Sequence, residues 1–66
     1  MTNLTTAYRF YLDGMTTFNE FLHSVAKPGQ IVFFNAIGQP YRINTYIGSW
    51  IVPAYQLTQT GHEQIA

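Results

Sequence analysis

The sequence predicts a small α+β domain: a β-α-β-β-β chain forming a mainly antiparallel sheet, with one short helix packed on one face. Three observations predict it. Most of the chain alternates side chains at period two and is rich in aromatic and β-branched residues. One stretch, and only one, carries a helical period with a start and a stop signal. The breaks between stretches fall at Gly, Pro and Asp, where tight turns form.

The first strand is read over residues 4–12. Leu4, Thr6, Tyr8, Phe10 and Leu12 form one face, and Thr5, Ala7, Arg9 and Tyr11 the other. Asp13-Gly14 reads as the tight turn that ends it, because glycine tolerates a positive φ.

The helix follows in "TTFNEFLHSVAKPG". Thr17 and Glu20 have the spacing of a capping box, in which hydroxyl and carboxylate each satisfy an orphan backbone N–H. Phe18, Phe21, Leu22 and Val25 fall at i, i+3, i+4 and i+7, one apolar stripe. Lys27 suits the negative end of the helix dipole, and Pro28-Gly29 stops the helix. Such a short helix is not stable alone and must dock its stripe on the sheet.

"QIVFFNAIG" reads as the second strand, over residues 31–37. It is apolar on both faces, so each face needs cover. One helix covers one face; the other needs a loop, the tail or another subunit, which makes this strand, with Phe34, a candidate interface. Gly38-Gln39-Pro40 reads as a hairpin loop. "YRINTYI" is the third strand, with Tyr41, Ile43 and Ile47 facing the helix stripe. Gly48-Ser49 turns the chain into the fourth strand, residues 50–57. Pro53 cannot donate to a ladder, so that strand is expected at an edge or bulged. The three later strands read as a meander, and the place of the first strand beside it is not fixed. Residues 57–66 lack an apolar pattern and read as a flexible tail of a single 1–66 domain.

Composition narrows function. A chain of 66 residues buries only about 60% of the surface its unfolded form exposes. Without Cys it has neither disulfides nor thiolate metal ligands, and two His make a structural zinc site a poor fit. Association with a second copy is the remaining common source of stability. Charged residues are 9% and hydrophobic residues 47%, with no formal net charge, so little keeps copies apart. The same neutrality argues against duplex nucleic acid as a partner. No apolar run approaches the ~20 residues of a membrane-spanning helix. With no basic, apolar leader at its start and no Cys, the chain is expected in the cytoplasm.

No catalytic constellation is visible. Asp13, Glu20 and Glu63 are the carboxylates, explained by a turn, a cap and the tail. His23 and Ser24 point about 100° apart on a helix and cannot pair. "GHEQIA" begins like a zinc-protease helix, but Ala66 stands where the second His is needed. His62 reads as a solvated tail residue and His23 as an exposed helix flank. No cofactor is implied, and the chain is read as no enzyme.

What remains is a face of Arg9, Tyr11, Arg42, Tyr46 and Tyr55 on the side of the sheet away from the helix. Tyr and Arg suit interfaces, and two Arg among aromatic rings could clamp an anionic, nucleotide-like ligand. The plain alternative is a solvated face, with arginine stems lying over tyrosine rings. The leading expectation is a non-enzymatic interaction protein acting as a homo-oligomer. Its size also suits a phage or mobile-element accessory protein that binds and inhibits a host protein, an association by size alone. The alternatives are a binder of a small anionic ligand and a structural subunit of a virion or filament.

Overall fold

The first element is a helix, not a strand. The computed structural model describes residues 3–45 and 53–66. Helix α1 spans Leu4–Leu12, capped by Asn3, whose side-chain oxygen accepts from the Thr5 and Thr6 N–H groups at 2.8 and 3.3 Å. Gly14, at φ +78°, ends it. Gly14 N–H donates to Tyr11 O and Met15 N–H to Phe10 O, both at 3.0 Å. That is the pairing of a Schellman cap, which only a left-handed residue permits. Leu4, Ala7, Tyr8 and Tyr11, at i, i+3, i+4 and i+7, are the stripe that packs on the core, with Ala7 buried and the other three partly so. The β-propensity of the Thr, Tyr and Phe residues here is overridden by two end caps and by packing.

Helix α2, Phe18–Val25, stands where the sequence puts it. Its capping box is closed: Glu20 N–H donates to Thr17 Oγ1 at 3.1 Å, and Thr17 N–H to Glu20 Oε1 at 2.8 Å. Phe21 and Leu22 are fully buried, while Phe18 and Val25 pack at the edge of the core. The chain then turns through Lys27–Gln30, with Gly29 at φ +91° and Gln30 N–H donating to Lys27 O. Pro then Gly at the two central positions is the sequence of a type II turn.

Four strands follow: β1 (Ile31–Phe34), β2 (Pro40–Asn44), β3 (Ala54–Leu57) and β4 (His62–Gln64). Their order in the sheet is β2-β1-β3-β4, every pair antiparallel. The architecture is therefore α-α-β-β-β-β, with two helices where the sequence suggested one. It is also not a meander, because β3 pairs with β1 and not with β2. Pro53 lies just before β3, outside the ladder, so its missing N–H breaks no pairing; its carbonyl accepts from Phe34 N–H at 2.9 Å. The strand expected over 31–37 stops at Phe34. Asn35 bends the chain by accepting from the Ile37 and Gln39 N–H groups, and Ile37 is 78% exposed. The expected contacts of Tyr46 and Ile47, the Gly48-Ser49 turn and the start of the fourth strand lie outside the described residues.

The segment read as a tail carries β4. Its ladder runs to the last residue: Ile65 N–H donates to Ala54 O and Ala54 N–H to Ala66 O, both at 2.9 Å. Polar contacts also tie it to α2. His62 Nδ1 lies 2.7 Å from Asn19 Oδ1, Asn19 Nδ2 donates to Thr60 O at 3.1 Å, and His23 Nε2 lies 2.9 Å from Gly61 O. A carbonyl only accepts, so His23 carries its proton on Nε2. Asn19 Oδ1 is likewise an acceptor, so His62 carries its proton on Nδ1. Both histidines thus act as donors in α2–β4 contacts, in place of the solvated roles the sequence suggested.

The core lies between the helices and one face of the sheet. Val32, Phe34 and Leu57 meet Ala7, Phe21 and Leu22 there, with Ile43 and Tyr55 at its margin. Tyr41, expected beside Ile43, is 41% exposed; the register shifts between Phe33 and Phe34, opposite this part of β2. On the other face Ile31, Phe33 and Ala54 form a second buried cluster. Both faces of β1 are therefore buried within one chain, and the strand does not itself demand a partner.

Candidate functional site: an aromatic cleft

Five aromatic rings converge where α1 and α2 meet the sheet. Tyr8 and Tyr11 come from adjacent turns of α1, Phe18 from the start of α2, Phe34 from the end of β1 and Tyr55 from β3. With Gly38 and Pro53 they line an open cleft of about 230 Å³. The rings support one another. Tyr11 and Phe18 lie 5.4 Å apart, Phe18 and Phe34 5.8 Å, Phe18 and Tyr55 5.0 Å, and Phe34 and Tyr55 5.5 Å between centroids. Phe21, wholly buried, props Tyr8, Tyr11, Phe18 and Phe34 from beneath. Pairs at such distances and tilts each contribute about 0.5–1.5 kcal/mol beyond their area, so the walls are preformed.

The lining is neutral. No charged side chain borders the cleft among the described residues. Among the described residues its polar side-chain groups are the three tyrosine hydroxyls. Tyr8 donates to Gly38 O at 2.9 Å, which fastens the β1–β2 hairpin to α1. Among the described residues the Tyr11 and Tyr55 hydroxyls have no hydrogen-bond partner.

Of the residues singled out from sequence, Tyr11, Phe34 and Tyr55 are brought together here, on the helix side of the sheet and not on the far face. Arg9 and Arg42 are not joined to them. Arg9 is exposed on α1. Arg42 pairs with Phe33 on the helix-free face, its guanidinium carbon 5.0 Å from the ring centre. That cation–π contact explains Arg42 without a ligand. Tyr46 lies outside the described residues. Tyr8 and Phe18 were missed as site residues. Tyr8 stands three residues before Tyr11, a neighbour on a helix but not on a strand.

A larger groove of about 490 Å³ runs along the end of α2, by His23, Ser24, Lys27 and Gln30. Three of its polar side chains serve the fold. His23 donates to Gly61 O, Ser24 Oγ donates to Phe21 O at 2.7 Å, and Gln30 Oε1 accepts from Lys27 N–H at 2.7 Å. The described residues contain no group of three or more metal-ligating side chains. No helix among them is long and apolar enough to cross a membrane.

Apolar side chains also stand in solvent. At the end of α1 and in its cap, Phe10, Leu12 and Met15 are 43%, 61% and 68% exposed. Comparison with known protein families, with curated proteins and with solved structures found no match.

Proposed function

We propose that the chain is a small non-enzymatic interaction protein that works as a homo-oligomer. The observation that carries this reading is the exposed apolar end of α1. Phe10, Leu12 and Met15 stand in water in a chain with 9% charged residues and no net charge. Such a surface gains by being covered and has little charge to repel a copy of itself. The two buried faces of β1 shift the expected interface from the sheet to this helix. Light scattering over a hundredfold dilution tests the reading. A mass above that of one chain which falls on dilution is expected; a strict monomer at all concentrations overturns it. Binding to a second, unlike protein and packing into a virion or filament would use the same surface.

A second reading, a ligand binder, is favoured by the aromatic cleft. Arg9 and Arg42 lie on opposite sides of the sheet, so the pair does not supply a clamp for an anion. The cleft itself suits an uncharged ligand.

A further inference from the structure

We propose that the free edge of β4 takes up an extended segment of a partner protein as an added antiparallel strand, and that Glu63 selects a segment with a lysine or arginine opposite it. The inference adds a surface to the self-association through the end of α1 and does not depend on it.

Backbone direction is the first argument. β4 is the outer strand of the sheet beside β3. Thr58 N–H donates to Gly61 O and Ile65 N–H to Ala54 O, both at 2.9 Å. These bonds turn Gly61 and Ile65 towards β3, and the alternation of an antiparallel ladder turns Glu63 with them. His62 and Gln64 therefore aim their N–H and C=O groups outward, where they have no partner among the described residues. Two donors and two acceptors at the two-residue spacing of a ladder match the backbone of an extended chain. An apolar molecule or a docked helix supplies no such set.

The edge is also held in shape. His62 Nδ1 donates to Asn19 Oδ1, His23 Nε2 to Gly61 O, and Ala54 N–H to Ala66 O. Both ends of β4 are tied to the body of the domain, so an incoming strand orders itself and little else.

Charge decides between a second copy and another protein. One antiparallel register joins His62 and Gln64 to Gln64 and His62 of a second copy and uses all four edge groups. It also sets Glu63 directly opposite its own counterpart, in the close position where like charges destabilise a sheet. Moving the register by two residues calls on Thr60 or Ala66. Their carbonyls already accept from Asn19 Nδ2 and from Ala54 N–H. The edge thus disfavours pairing with itself. Glu63 is exposed, and its carboxylate has no hydrogen bond or ion pair among the described residues. A lysine or arginine in the same cross-strand place turns the repulsion into attraction. Ile65, 37% exposed, stands two residues along on the same face. The fitting segment therefore reads apolar-x-basic.

The test titrates ¹⁵N-labelled protein with the blocked peptide Thr-Thr-Ile-Thr-Lys-Thr-Val-Thr-Thr and follows amide shifts and amide exchange. The expected result is saturable shifts along β4. Exchange of the His62 and Gln64 amides should slow, while that of Glu63 and Ile65, already bonded to β3, should change little. Methylating the backbone nitrogens of the two threonines beside the lysine should weaken binding at least about tenfold. Glutamate in place of the lysine should weaken it about fivefold, and Glu63→Gln should abolish that preference with the amide spectrum elsewhere unchanged. No saturable shift at millimolar peptide, undiminished binding of the methylated peptide, or a lysine preference that survives Glu63→Gln would each overturn the proposal. Slow exchange of the His62 and Gln64 amides in concentrated protein without peptide would overturn it too, because the edge would then hold a second copy. Self-association through the end of α1 leaves these two amides free, so it does not alter the readout.

Discussion

Single side chains decide where each helix begins and ends. Thr17 shows this most simply, because its hydroxyl makes one bond and its backbone another in the same closed pair with Glu20. Thr17→Ala removes the hydroxyl acceptor and leaves Glu20 N–H to water. A loss of about 1 kcal/mol in unfolding free energy is expected, measured by urea denaturation with an unchanged m-value. A change within a few tenths of a kcal/mol would show that the box does not hold α2. Gly14 acts at the same scale. Its φ of +78° has open space around the missing side chain, so any cost of Gly14→Ala is backbone strain and not collision.

At the scale of elements, α1 is the test of sequence against structure. Leu4, Ala7, Tyr8 and Tyr11 satisfy a helical stripe, while Leu4, Thr6, Tyr8, Phe10 and Leu12 satisfy a strand in the same nine residues. Periodicity cannot choose between them. Propensity favours the strand, and the caps Asn3 and Asp13-Gly14 favour the helix; the caps win because they act with the packing of Tyr8 and Tyr11 on Phe21. Asp13-Gly14 was legible as a place needing a positive φ, but hairpin turns and helix ends share that need. Thr6 is exposed on α1, so Thr6→Ala should stabilise the protein by about 0.5 kcal/mol through helix propensity alone. Destabilisation would be the outcome for a strand, and thermal melts read the sign directly. α2 was fully legible because its stripe, capping box and Pro-Gly stop all agree, with no competing period. β4 was not, because it is held by its ladder to β3 and by Asn19, His23 and His62, polar partners that leave no apolar pattern in its sequence. Asn19→Ala removes both of that residue's contacts to the β4 side. It should lower amide protection of Ile65 and Thr58 about tenfold in hydrogen exchange, with the β1 amides unchanged. Equal loss in β1 would mean that β4 does not open on its own.

For the whole molecule, the sheet order follows from where apolar residues are richest. β1 is buried on both faces and takes an inner position, and β2, begun by Pro40, takes an edge. That arrangement draws the aromatic residues inward and answers, within one chain, the demand for cover that the sequence of β1 makes. The six residues singled out from the sequence, Phe34 and the five of the Arg/Tyr face, divide accordingly. Tyr11, Phe34 and Tyr55 were legible as aromatic contact residues, but their meeting place depends on α1 being a helix. Among the apolar groups still in water is the cluster at the end of α1, which a strand reading hides by placing Phe10 and Leu12 under a helix. Replacing Phe10, Leu12 and Met15 together with Gln tests their role directly. All three are exposed, so each chain loses little packing, and helix propensity changes only slightly at Phe10 and Leu12. If these side chains join copies, the variant should scatter as a single chain at concentrations where the parent is larger. Its melting temperature should become independent of concentration, while the parent's rises with it. A variant that keeps the parent's mass places the contact elsewhere on the surface.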